Sequence, residues 1–169
     1  PHLEAFLAGG KEVLLLCDPV DDLVMPMTFE YKEKKLLSVS REGVKPSGSE
    51  KKEDESSRSE REAALRPLID AAKTALSDVV RDVRISERLT SSPSCLVSDP
   101  NALSPQMERM LREMGQAVPP TKRILELNAA HPLVTKLNER LGGMEASERN
   151  SLLGLLYDQA LLAEGVVPE

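Results

Sequence analysis

The sequence has no tryptophan and only two each of phenylalanine, tyrosine, cysteine and histidine in 169 residues. Each scarcity removes a class of protein. No stretch approaches the roughly 18 to 20 uninterrupted apolar residues that span a bilayer, and no basic segment followed by an apolar run opens the chain. A cytoplasmic protein with no membrane partner is expected. Cys17 and Cys95 each stand singly inside an apolar run, so neither a disulfide framework nor a zinc cluster can be assembled. Both read as buried small hydrophobes in a reducing compartment. Lys and Arg number 22 against 28 Asp and Glu, a formal net charge of −6, and no basic block is free of acidic neighbours. That excludes the electrostatic footprint of a nucleic-acid or anionic-lipid binder. A nucleophile has little to draw on for a base, since His131 precedes Pro132 at a predicted helix start and His2 is the other imidazole. Gly9-Gly10 and Gly142-Gly143 follow predicted helices, whereas a phosphate cradle follows a strand and opens a helix. No catalytic residue and no metal site is expected.

What is present suffices for a core: 40% of residues are apolar. Three of the rings, Phe6, Phe29 and Tyr31, lie near the front and only Tyr157 lies far beyond, a composition shift between two units. The chain starts at Pro1 without methionine and stops at Val166-Val167-Pro168-Glu169, so it reads as a piece of something longer. Residues 2–8 carry Leu3, Phe6 and Leu7 at helical spacing and close on the first glycine pair. Residues 12–16 form an apolar run of strand length. Asp18-Pro19 supplies an N-cap and a proline at the first helical position, with Asp21 and Asp22 in the first turn, and 35–39 reads as a second strand. Residues 1–45 are thus expected to be a small α/β lobe. Residues 46–60 read as a charged linker, or in their later part as the exposed first turns of the next helix.

From 61 to 169 the pattern is α-β-β-α-β-α-α, giving an α/β (α+β) chain. Helices are expected over 57–77, 104–114, 131–141 and 147–164, and strands over 79–85, 95–98 and 122–127. In the first helix Leu65, Leu68, Ile69, Ala72 and Leu76 share a face with Ala64, while Pro67 should kink it or delay its start to about Arg66.

Three features carry functional candidates. Leu103, Met107, Met110, Leu111 and Met114 share one face of the 104–114 helix, opposite Glu108, Arg109, Arg112 and Glu113. Such a stripe is either core or a surface that accepts varied partners, and three methionines favour the second, because an unbranched polarizable side chain repacks easily. In the final helix apolar residues cover most of the circumference, so it must be covered on two sides, either inside the fold or by a second copy of the chain. Leu152, Leu156, Tyr157 and Leu161 are the expected two-fold contact. Asp18, Asp21 and Asp22 admit a carboxylate site for a metal or a small enzyme, but acidic residues at a helix start already complement its dipole.

The segments EVLLLCDPVDD (12–22), RLTSSPSCLV (88–97), SPQMERML (104–111), RILELN (123–128) with HPLV (131–134), and DQALLAEG (158–165) together closely resemble the C-terminal half of the ninety-kilodalton heat-shock chaperone family in its bacterial form. The resemblance covers nearly all of the chain outside the linker, in order and in spacing. It implies that residues 1 to about 45 end a middle domain and that residues from about 60 form a C-terminal dimerization domain. It also implies an ATP-driven chaperone whose ATP and magnesium sit in an N-terminal domain lacking here, so this part is expected to hold no cofactor and to hydrolyse nothing. Its partners would be unfolded or partly folded clients and a second protomer. Carried over by position, the client-facing residues are Leu103, Met107, Met110 and Leu111, with Asp22, Leu23 and Pro26 on the middle-domain side. Many bacterial members have an aromatic at the Leu23 position and a polar amide at Pro26, which implies a differently shaped contact here. Family members continue past Pro168 into one more helix of a four-helix dimer bundle, so its lack is expected to weaken dimerization.

Overall fold

The computed structural model describes residues 1–18, 20–28, 30–44, 55–99, 102–103, 105–117 and 121–168, with backbone alone at 22, 23, 26, 55–58, 105, 106 and 109. Its main body starts with α3, Glu55–Ala75, which follows α1 (Glu4–Ala8) and α2 (Asp21–Val24). The helix opens inside the stretch read as linker, so the later part of that stretch is helix, the second of the two possibilities. It also runs through Pro67, which neither stops it nor sets its start. Pro67 sits on the exposed side, while Leu65, Leu68, Ile69, Ala72 and Leu76 are buried in one stripe. That burial holds the helix together despite the missing backbone donor. Ala64 is exposed rather than part of the stripe, and its carbonyl accepts the side-chain amide of Asn138 at 3.0 Å.

Beyond α3 come β3 (Val80–Ile85), β4 (Ser94–Val97), α4 (Pro105–Glu113), β5 (Arg123–Leu127), α5 (Pro132–Arg140) and α6 (Ala146–Ala163), the order expected from the sequence. The sheet order is β3-β5-β4, with β5 parallel to β3 and antiparallel to β4. A central strand is covered on both faces, and β5 is buried from Ile124 to Leu127. Leu125 and Leu127 join Val83, Leu96, the α3 stripe, Val134 and Leu137 of α5, and Leu153, Leu156, Ala160 and Leu161 of α6 in the main core. Ile124 points the other way, to a second cluster with Leu89, Cys95 and Val97. His131 caps α5: its Nδ1 accepts the Leu133 N–H at 3.1 Å, and Pro132 fills the first helical position.

The front of the chain departs from expectation. Residues 11–17 are not a strand, and Leu14, Leu15 and Leu16 are exposed, Leu14 at 78%. A strand exists only through its ladder, and among the described residues nothing pairs with this run. Cys17 is consequently exposed too, whereas Cys95 is buried. The second expected strand is displaced: β1 (Glu30–Tyr31) and β2 (Lys34–Lys35) form a two-residue hairpin, and residues 36–39 leave it. Lys32 and Glu33, at φ 48° and 62°, make the mirror-image turn that suits strand twist, a conformation usually given to Asn-Gly and therefore invisible in Lys-Glu. The expected small α/β lobe is therefore two short helices and a hairpin. Of the expected linker, residues 46–54 lie outside the described residues.

Candidate functional site

On α4, Met110 is exposed and Met107 and Leu111 are half-buried, with Leu103 and Met114 exposed just before and after it. Gly115, at φ +77°, turns the chain away from the helix end. Among the described residues, neither core cluster includes a residue of α4. The apolar stripe is thus partly exposed, with Met114 at 63%, and among the described residues it joins neither core cluster. Asp22 and Leu23 lie on α2 and Pro26 in the following 3-10 turn, Met25–Met27, but their side chains lie outside the described residues.

The acidic group before α2 does not cap it as expected: the N-cap position is Val20, without a side-chain cap bond, and the carboxylates bond within the preceding turn. Asp18 Oδ1 accepts the Val20 N–H at 3.1 Å, and Asp21 Oδ2 accepts the Asp18 N–H at 3.1 Å.

The expected two-fold contact on α6 divides. Leu156 (2% exposed) and Leu161 belong to the chain's own core, and Leu152 and Tyr157 are partly buried against it. Leu156 and Leu161 are therefore corrected from contact surface to core. Position fixes this, because Leu156 faces the sheet and its carbonyl accepts the Ser94 hydroxyl at 2.7 Å. The apolar side chains that α6 leaves exposed are Leu155 and Leu162.

A polar cluster that periodicity could not reveal lies on the second face of the sheet. Glu126 is buried, and its Oε1 accepts two bonds from Arg84, at 2.8 and 3.1 Å. Its Oε2 accepts the Ser86 hydroxyl at 2.8 Å and pairs with Arg88 Nε at 3.0 Å. Burial raises the pKa of the neighbouring Cys95 thiol, and the Glu126 carboxylate adds to that, so the thiol stays protonated and inert. Some distance along the face, Glu4 of α1 accepts the N–H groups of Thr90 and Ser91, each at 2.7 Å, and of Ser92 at 3.1 Å, and also the Ser92 hydroxyl. Burial alone raises this carboxyl, but bonds from the Ser92 hydroxyl and the amides of Ser91, Thr90 and Ser92 outweigh it, holding the pKa at about 2 against an ordinary 4.5. A depressed carboxylate stabilises the fold above its unfolded value and loses that contribution as pH falls through the folded one. Amide chemical shifts of Thr90, Ser91 and Ser92 should therefore be constant at neutral pH and move together with a midpoint near pH 2; a midpoint near 4.5 would contradict the clamp.

The sequence model of the family described as Hsp90 protein matches residues 1–169. The chain belongs to the Hsp90 family. It is 49% identical over 172 residues to a chaperone protein HtpG of Rhodococcus jostii, covering 98% of this chain and 26% of that relative. The HtpG of Mycolicibacterium vanbaalenii is 48% identical with 100% of this chain covered, and that of Geobacter sulfurreducens 46% identical with 98% covered, again 26% of each relative. This Hsp90-family chain thus spans about a quarter of the length of these chaperones. Among the described residues no three His, Cys, Asp or Glu converge as metal ligands. Among the described residues, a cleft of about 340 Å³ is lined by Glu139, Arg140, Gly143, Met144 and Glu148. No helix among the described residues is long and apolar enough to cross a membrane.

Proposed function

We propose that this chain is the client-holding and dimerizing C-terminal part of a bacterial cytoplasmic Hsp90-family chaperone. Residues 1–45 end the middle domain, and 61–169 form the dimerization domain. The reading is carried by one observation: a short helix with two methionines on its apolar side, and a third just after it, is partly exposed and among the described residues joins neither core cluster. Exposed apolar area costs solubility unless it has a use, and a methionine-rich face fits many differently shaped unfolded segments. Leu103, Met107, Met110, Leu111 and Met114 form that face, and Asp22, Leu23 and Pro26 supply the second contact. The second protomer is held by the outer side of α6, where Leu155 and Leu162 are exposed beside the half-buried Leu152 and Tyr157. This part hydrolyses nothing by itself; the nucleotide is handled in a portion of the full-length protein that precedes it. The exposed run at 13–16 is covered there by the preceding part of the middle domain.

The test is Met107→Ser with Met110→Lys in the full-length protein. Because Met110 is exposed and Met107 half-buried at the edge of no core cluster, the melting temperature should stay close to that of the unaltered protein, within the effect of about 0.5 kcal/mol usual for surface changes. Suppression of model-substrate aggregation should fall several-fold. Unchanged suppression with an intact fold would remove the client role, and a large stability loss would make the face part of a core.

A further inference from the structure

The front segment, residues 1–44, meets the α/β body at two places far apart in sequence. At its start, Glu4 holds the amides of Thr90, Ser91 and Ser92, and the Ala5 N–H donates to the Arg88 carbonyl at 3.2 Å. At its end, residues 40–42 run beside the strand edge at Ser98: the Ser98 N–H donates to the Ser40 carbonyl at 3.2 Å and the Glu42 N–H to the Ser98 carbonyl at 2.9 Å. The Glu42 carboxylate there accepts Arg84 at 2.7 Å and Arg81 at 2.8 Å.

Arg88 takes part in both. Its carbonyl receives Ala5, while its guanidinium donates Nη1 to the Val39 carbonyl and Nη2, at 3.3 Å, to the Arg41 carbonyl. The remaining Nε is fixed by the buried Glu126. A planar guanidinium distributes its donors in a rigid fork, so turning it to satisfy one set of acceptors misaligns the others. The direct bonds at both attachments are polar, and the apolar side chains buried with α1, Ala5 and Phe6, belong to neither core cluster, so the joint can part without breaking the main core.

We propose that these two attachments form a single latch with Arg88 as its pin, so that residues 1–44 dock onto the sheet and lift from it in one step. This does not depend on the client-binding reading. Were they independent, loosening one would leave the other's protection intact; as one latch, loosening either frees both, and by linkage the effect is reciprocal.

Amide hydrogen exchange on the 169-residue chain distinguishes the two cases. Glu4→Ala removes the first attachment only, and the read-out is the second: exchange at Glu42 and Ser98 should quicken by about tenfold or more if local opening is shared. Glu42→Gln is read in reverse, at Thr90, Ser91 and Ser92, with the same expectation. The amide of Leu125, in the central strand, should keep its protection in both variants. If each variant quickens only the amides it touches, or neither changes the distant set, the latch is overturned. Should Glu4→Ala also expose Leu125, the milder Ser92→Ala, which removes one hydroxyl from the Glu4 carboxylate, takes its place: quickening at Glu42 and Ser98 supports the latch, and none there overturns it.

Discussion

Glu126→Ala should lower the unfolding free energy by about 3 to 5 kcal/mol, the cost of removing one partner from a buried ion pair. Glu126 is 3% exposed and Arg88 4%, so the guanidinium left behind has neither its carboxylate nor water. Arg84 keeps Glu42 but loses Glu126, and Ser86 loses its acceptor as well. Glu126→Gln keeps an acceptor oxygen without the charge and should cost clearly less. Replacing both Glu126 and Arg88 by leucine should recover much of the loss, since an apolar pair carries no desolvation cost. Urea unfolding at neutral pH measures all three. A loss below about 1 kcal/mol for Glu126→Ala would mean that Arg88 turns out to solvent, and that its bonds to the front segment are weaker than the geometry implies.

Two neighbouring leucines on α6 should behave in opposite ways. Leu156→Ala opens a cavity between helix and sheet and should cost about 2 to 5 kcal/mol. Leu155→Ala, at a site 61% exposed, should change stability by no more than about 0.5 kcal/mol. In the longer protein Leu155→Arg should instead weaken association, to be followed by sedimentation across concentration. If Leu155→Arg leaves the assembly untouched while Leu156→Ala dissociates it without destabilising the protomer, the faces of α6 have been exchanged.

The body of the fold was legible because its signals are local. Glycine at 115, proline at 105 and 132, and the stripe from Leu65 to Leu76 each act within a turn or two, and the helices and strands from 55 onward fall where those signals put them. The apolar face of α4 was legible for the same reason, and its exposure was not, since periodicity says that a stripe exists but not what covers it. Sidedness on α6 failed similarly: with leucine nearly all round, only the position of β4 tells Leu156 from Leu155. Residues 12–16 read as a strand on composition, which is blind to whether a partner is present. Glu126 looked like the polar half of an alternating strand, and nothing in the sequence near it announces Arg84 and Arg88, some forty residues earlier.

The uncovered run at 13–16 has a consequence outside the folded state. Four consecutive branched aliphatic residues that pair in no strand among the described residues are the composition that recruits identical segments from other molecules into intermolecular sheets. Lys11 and Glu12 before it and Asp18 after it act as gatekeepers, since stacking like copies in register would bring like charges to a few ångströms. Their effect weakens as salt screens them. A preparation of this chain should therefore stay clear longest at low ionic strength, the reverse of what a protein limited by its folding stability prefers.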